Sequence, residues 1–224
     1  MHNPYVPETL EGWSILHLMY RVRWERLRDR TPTDRERMAA EVVQALAAPD
    51  AGATAVVAAS VFGGSLILLY TASTLYHATR TPTTKVRLKV FDHCAIYVLI
   101  AGTYTPFTLV GLQGAWGWSL FGVIWGLAAS GVVFKLFWTG RFPKVSTALY
   151  IAMGWLIVIA AVPTIRALSP VTLAWLLAGG LAYTSGTFFY HNRRIPYAHA
   201  IWHVFVLAGS VSHGIAVGLQ MVGA

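Results

Sequence analysis

Six apolar runs, each about 20 residues long, dominate this chain of 224 residues and limit what it can fold into. A run of that length crosses the ~30 Å hydrocarbon core of a bilayer as a helix. The runs cover residues 53–77, 91–111, 116–137, 145–167, 171–190 and 198–221. Because backbone polar groups in lipid must be paired within their own segment, the runs predict an all-α, polytopic transmembrane helical bundle.

The distribution of charge divides the chain into two parts. Charged residues make up 12% of the chain, against about 25% in a soluble domain. Eight of the nine acids lie in the first fifty residues, and Asp92 is the single acid after them. We therefore expect a polar, basic N-terminal segment, 1–50, and a membrane-embedded body, 51–224. The net charge of +8 is explained by loops beside a membrane and does not indicate nucleic acid.

Basic residues concentrate in alternate connections between the runs. The 78–90 loop holds four Lys or Arg, the 139–144 and 191–197 loops hold two each, and the 111–115 loop holds none. The positive-inside rule predicts that the first three loops are cytoplasmic, in a multi-pass protein of the plasma or inner membrane.

The N-terminal segment leaves the number of helices open. Its Arg-rich stretch, 21–37, favours the inside, whereas the run beginning at residue 53 would start outside. Residues 38–49 either cross as a short first helix in a thinned bilayer, or segment 1–50 stays outside. A third arrangement is an interfacial amphipathic helix at about 12–28.

Three histidines and one acid are predicted to lie at one level of the bundle. His199 and His203 are four residues apart, so a helix places them on one face, one turn apart. His77 ends the first run and Asp92 begins the second. An even number of crossings separates them from His199, so all four groups lie within about 10 Å of one membrane face. Three imidazoles, an open position for water and a carboxylate make up a catalytic zinc site.

Each of these residues also has a purely structural interpretation. Membrane histidines often hydrogen-bond between helices. Asp92 could pair with Lys89 or Arg87 at a helix start, and Ser73, four residues before His77, could donate to the carbonyl of Leu69. The remaining histidines are predicted to be structural or on the surface: His2, His17, His93, His191 and His213.

Three motifs in order resemble one known family. They are LYTASTLYHA (69–78), FDHCAIYVLIAGTYTPF (91–107) and HAIWHVFVLAGSVSHG (199–214). Together they are similar to the hemolysin III family, the bacterial branch of the progestin and adipoQ receptor superfamily. The resemblance implies seven transmembrane helices, a cytoplasmic N-terminus and zinc held by three histidines. The chain departs from the family at its start, where only 38–49 is available as a first helix.

The resemblance also assigns roles to single residues. The zinc ligands match His77, His199 and His203, the acid that contacts the zinc-bound water matches Asp92, and the serine of the family's Ser-xxx-His motif matches Ser73. It implies a lipid-amide hydrolase, ceramidase-like, and a role in membrane-lipid homeostasis.

Two functions from different classes follow. One is zinc-dependent hydrolysis of a membrane-lipid amide or ester, with Asp92 moving the proton and Ser73 helping to hold the oxyanion. The other is a non-enzymatic lipid sensor or receptor with a structural zinc. A proton-coupled transporter would need polar residues throughout the membrane depth, and here they cluster at one end. A b-type haem is disfavoured because His199 and His203 share one helix face.

Overall fold

The computed structural model describes residues 49–192 and 194–223, which are helical and contain no β-strand. The helices form six rods joined by short connections. The rods are α1 (Pro49–Ala78); α2 (Pro82–Pro106) with a π-helical continuation (Phe107–Leu112); α3 (Gly114–Trp138); α4 (Pro143–Gly154) continued by a 3-10 stretch (Leu156–Ala160) and by α5 (Ala161–Ala167); α6 (Pro170–His191); and α7 (Ala198–Gly223). Each of the six predicted runs is helical.

Five of the rods are long and apolar enough to cross a membrane, which confirms the predicted class of polytopic helical membrane protein. The exception is α6, whose crossing stays a prediction. Large apolar side chains point outwards from the bundle. Ile67, Phe137 and Ile159, on three different rods, are all about 70% exposed, and lipid chains would cover such a surface.

The connection between α1 and α2 is much shorter than the predicted 78–90 loop. Because α2 already begins at Pro82, Lys85, Arg87 and Lys89 lie on its first turns, and only Arg80 remains in the connection. Proline at the first positions of a helix loses no hydrogen bond and has a helical φ. The helix therefore starts before the apolar run does. The cytoplasmic location of this connection stays a prediction.

Both prolines inside the apolar runs, Pro106 and Pro163, accompany irregular turns. Pro106 ends the regular part of α2, and the π-helical turns follow directly. Pro163 lies in α5, just after the 3-10 stretch. Proline has no N–H and crowds the carbonyl four residues earlier, so the regular hydrogen-bond pattern is interrupted at each position.

The α2 rod lies in the interior of the bundle, with every residue from 101 to 108 buried. The Tyr104 hydroxyl accepts a hydrogen bond from the N–H of Ile157 (2.9 Å) and contacts the carbonyl oxygen of Met153 (2.9 Å). The indole of Trp125 donates to the hydroxyl of Thr105 (3.1 Å). These bonds fix α2 against the α3 and α4 rods, and hence fix the position of Asp92 near its start.

The N-terminal arrangements lie outside the described residues. These are the short crossing helix at 38–49 and the amphipathic helix at 12–28, whereas the predicted boundary between segments 1–50 and 51–224 falls in the first turn of α1 and is not tested. They stay predictions.

Candidate metal centre and its cavity

Two of the predicted ligands lie on the first turns of α7. The helix begins at Ala198, directly after Tyr197, whose φ of 58° turns the chain into it. The N–H of Ile201 bonds to the carbonyl of Tyr197 (3.0 Å), which closes the first turn. His199 and His203 follow on one face, and their Nε2 atoms are 3.1 Å apart. The four-residue spacing therefore brings the two ring nitrogens together.

The third predicted ligand comes from the far end of the described chain. His77 lies in the last turn of α1, and its Nε2 atom is 3.4 Å from Nε2 of His199. Its ring centroid is 5.1 Å from that of His199 and 5.2 Å from that of His203. Each histidine offers a ring nitrogen, and these atoms all lie within 4.8 Å of one another. The three residues form a cluster that could hold a metal ion.

The nitrogen spacing fits a tetrahedral metal site. Zn–N bonds of about 2.0–2.1 Å at tetrahedral angles put neighbouring nitrogens about 3.3 Å apart. The separations of 3.1 and 3.4 Å lie close to this value. Among the described residues, the cluster includes no fourth His, Cys, Asp or Glu ligand. Three protein ligands leave a coordination position for water or substrate.

A cavity of about 780 Å³ extends from the histidine cluster into the bundle. Its volume lies within the ~300–1,000 Å³ typical of small-molecule sites. The cluster, Asp92 and Ser73 line one part of it, and His213, ten residues further along α7 than His203, lines another. The walls between them include the apolar side chains of Leu69, Ile96, Leu99, Ile100 and Val206. The structure therefore connects the candidate metal centre to an elongated, largely apolar space.

Asp92 lines this cavity beside the cluster but does not belong to the group of ligating atoms. Its Oδ2 atom lies 3.2 Å from Nδ1 of His93, and the Asp92 and His93 side chains are 14% and 15% exposed. Within the described part of the chain, Asp92 forms no ion pair with Lys89 or Arg87, the alternative open from sequence. The carboxylate is thus available to a molecule in the cavity.

Ser73 lies one turn before His77 on α1 and lines the same cavity. Its side chain is half-buried. No hydrogen bond from its hydroxyl to the carbonyl of Leu69 occurs among the described residues, so the structural interpretation is not realised here. The hydroxyl can donate to a molecule that occupies the cavity.

Comparison with known proteins identifies the family. Residues 38–214 match the family described as Haemolysin-III related. Hemolysin-3 of Bacillus cereus is 49% identical over 158 residues, which cover 70% of this chain and 72% of that protein. The chain belongs to the haemolysin III family.

Further relatives of this haemolysin III protein extend the assignment. The Hemolysin-3 homolog of Bacillus subtilis is 48% identical over 157 residues, 70% of this chain and 74% of that protein. The human Monocyte to macrophage differentiation factor is 29% identical over 171 residues, 72% of this chain and 69% of that protein. Such distant relatives support the wider superfamily of progestin and adipoQ receptors.

Three of the other histidines in this haemolysin III chain also line the cavity: His93, His191 and His213. His191, expected in a loop, is the last residue of α6, and its Nε2 is 3.0 Å from the hydroxyl of Thr147. His213 lies deeper, with Nε2 3.2 Å from the carbonyl oxygen of Leu176. A Cβ on Gly179 would lie 2.2 Å from the His213 ring, so α6 needs a glycine at that point. Both contacts support the predicted structural role.

Sequence reasoning missed Lys135. It is the one charged residue in the predicted run 116–137, and that isolation is the signal that could have identified it. The side chain is 2% exposed and lines the cavity, and its ammonium donates to the hydroxyl of Ser146. A second polar group was also missed: Tyr70 and Tyr183 both bond to the hydroxyl of Ser210, at 2.9 and 2.7 Å.

Proposed function

We propose that this haemolysin III protein is a zinc-dependent hydrolase of lipid amides, similar to a ceramidase, that acts in membrane-lipid homeostasis. The observation that carries the proposal is the cluster of His77, His199 and His203 in the wall of a cavity that extends between membrane helices. The spacing of the three nitrogens and their purely imidazole chemistry favour zinc as the ion.

The chain's own residues supply binding and proton transfer. The three histidines would hold zinc, which when bound supplies Lewis-acid activation of water and of a carbonyl group. Asp92, outside the ligand cluster, accepts the proton of the attacking water and returns it to the leaving amine. Ser73 donates its hydroxyl hydrogen to the carbonyl oxygen as negative charge develops there.

The contact between Asp92 and His93 supports the role of Asp92 as the base. The imidazole nitrogen lies beside Oδ2 at 3.2 Å without forming a hydrogen bond, and the ring limits the space open to the carboxylate on that side. A base fixed in this way loses less freedom when the reaction begins.

The substrate class follows from the cavity walls. Apolar side chains line the space beyond the histidine cluster, which suits an acyl chain whose carbonyl reaches the metal. The outward-facing apolar surface of the rods suits a protein whose substrate arrives within the membrane. We place the site near the cytoplasmic face, on the basis of the Lys and Arg at that end of α2.

The non-enzymatic alternative, a lipid sensor with a structural zinc, predicts a closed coordination shell. Structural zinc sites usually have four protein ligands, whereas catalytic sites keep one position open. The described residues contribute three histidines to the cluster, which favours the catalytic interpretation.

The test uses matched preparations of the wild type and of Asp92→Asn. Zinc content is measured by elemental analysis, and fatty-acid release is measured from ceramide-like amides and from acyl esters. We expect the variant to keep its zinc and to lose turnover by about 10²–10⁴-fold, the usual contribution of a general acid–base. Absence of zinc-dependent release by the wild type on every substrate would refute the hydrolase. Loss of zinc from the variant would instead assign Asp92 to metal binding.

A further inference from the structure

Lys135 is a buried cation that has no carboxylate partner in the described part of the chain. Its ammonium donates to the hydroxyl of Ser146 and lies 5.9 and 5.7 Å from the ring centroids of Phe134 and Tyr150. Burying an ammonium is strongly unfavourable unless an anion or several hydrogen bonds compensate. One hydroxyl and two ring faces compensate only in part, so the position is suited to an anion from outside the chain.

A second ammonium lines the same cavity. Lys89, from the start of α2, lines the cavity with Lys135. A Cβ on Gly140 would lie 3.4 Å from Nζ of Lys89, which places this Nζ at the turn that follows α3. The two lysines thus approach the cavity from neighbouring rods and add their positive potentials there.

Ser146 holds the Lys135 side chain in place. It lies in the first turn of α4, and its hydroxyl donates to the carbonyl of Phe142 at 3.0 Å, which leaves its oxygen free to accept from Lys135. The N-terminus of α4, a helix of 12 residues beginning at Pro143, adds the positive end of its dipole. The cationic end of the cavity is therefore preformed in the protein.

Apolar side chains also line the cavity that holds this cationic end. Ile100 and Ile151 line the cavity together with Lys135. A ligand that fits both parts carries a charged group on an apolar chain. Two ammonium groups match a phosphate monoester, which carries about −1.5 to −2 charge near neutral pH, better than a singly charged carboxylate.

We propose that Lys89 and Lys135 bind the phosphate of a lipid phosphate monoester whose acyl chain occupies the apolar part of the cavity. The site goes beyond the proposed hydrolysis, because it uses none of the three histidines and needs no metal.

The experiment measures binding of fluorescent phosphatidic acid to the purified full-length protein in neutral phosphatidylcholine nanodiscs. Diacylglycerol and a fatty acid with the same labelled chain serve as ligands without the phosphate. The variants are Lys135→Met, which removes the charge, and Lys135→Arg, which keeps it. Lys144→Met is the matched control, because Lys144 is exposed at the start of α4 and does not line the cavity. His203→Ala separates this site from the metal centre.

We expect phosphatidic acid to bind at least about tenfold more tightly than diacylglycerol, the scale of a charge-assisted hydrogen bond. Lys135→Met should abolish this difference, whereas Lys135→Arg, Lys144→Met and His203→Ala should keep it. Equal binding of the two lipids, or an unchanged preference in Lys135→Met, would overturn the proposal. Retained preference in His203→Ala, together with an absence of zinc-dependent hydrolysis by the wild type, would remove the proposed enzyme and keep this site.

Two further binding measurements determine which chemical group of the ligand the site recognises. Inorganic phosphate should displace the lipid only weakly, because it lacks the chain. Displacement as strong as that by unlabelled phosphatidic acid would assign the site to free phosphate and overturn the lipid assignment. A fatty acid that binds as tightly as phosphatidic acid would overturn the phosphate assignment. If Lys135→Met does not fold, the wild-type lipid comparison and Lys89→Met decide the question by the same criteria.

Discussion

The hydroxyl of Tyr150 donates a hydrogen bond to the backbone carbonyl of His93, 3.0 Å away. The bond ties α4 to α2 beside Asp92, and the Tyr150 ring is also one of the two that lie beneath the ammonium of Lys135. One side chain therefore contacts the surroundings of both the proposed base and the proposed phosphate site.

Removing this bond should destabilise the protein without removing the ring. We expect Tyr150→Phe to lower the free energy of unfolding by about 1 kcal/mol, because the carbonyl of His93 loses a buried partner. Thermal unfolding in matched detergent measures the change. Tyr197→Phe is the control, because that side chain is 85% exposed and should show no effect. An unchanged midpoint in Tyr150→Phe would show that the bond contributes nothing to stability.

Zinc binding should depend jointly on the three clustered histidines. His77→Ala, His199→Ala or His203→Ala each leaves two ligands. Structural zinc peptides bind their ion with a free energy of about 10–16 kcal/mol, and each variant should lose enough of such binding energy for stoichiometric zinc to be lost on dialysis. His191→Ala is the matched control: it removes a histidine that lines the cavity but lies outside the cluster. Stoichiometric zinc in the triple alanine variant would disprove the site.

The connections after α1 and before α3 should lie on opposite sides of the membrane. Thr83 and Ala115 are both exposed, and each can be replaced by cysteine in a Cys94→Ser background. A membrane-impermeant maleimide applied to intact cells should label Ala115→Cys, while Thr83→Cys should react only after permeabilisation. Labelling of both positions from one side would contradict the orientation.

Gly179 should tolerate no larger side chain. In Gly179→Ala the new Cβ would lie 2.2 Å from the ring of His213, so α6 and α7 must separate or the ring must move. We expect a loss of about 1–3 kcal/mol in stability, as for other overpacked interiors. The neighbouring Gly180→Ala is the control, since its Cβ would make an ordinary contact of 3.5 Å with Trp155. Equal stability of the two variants would argue against close packing at Gly179.

The spans and the histidine cluster could be predicted because each follows from a local rule. Hydropathy identifies a long apolar helix whatever it packs against, and the i,i+4 spacing of His199 and His203 fixes their common face. His77 could be added because the even number of crossings returns the chain to the same level. These inferences require no knowledge of how the helices are rotated.

Features that depend on helix rotation could not be read from the sequence. A run that is apolar on all sides does not show which face is buried, so nothing indicated that Lys135 points into the cavity. The contact of Asp92 with His93 has the same origin, because residues adjacent in sequence project about 100° apart and the sequence leaves open whether their side chains meet. The early start of α2 at Pro82 lies outside any hydropathy signal.

The close approach of His77 to His199 joins residues 122 positions apart. Through this contact, the first and the last rods of the described chain meet. The chain between the two histidines, which includes the other four rods, is thus a loop closed by the two side chains. An ion shared by these two side chains would act as a removable cross-link, because closing a long loop takes entropy from the unfolded chain. Removal of the ion by a chelator would then loosen α1 at an earlier stage than the hairpin of α6 and α7. Amide hydrogen exchange along α1 would report this opening first.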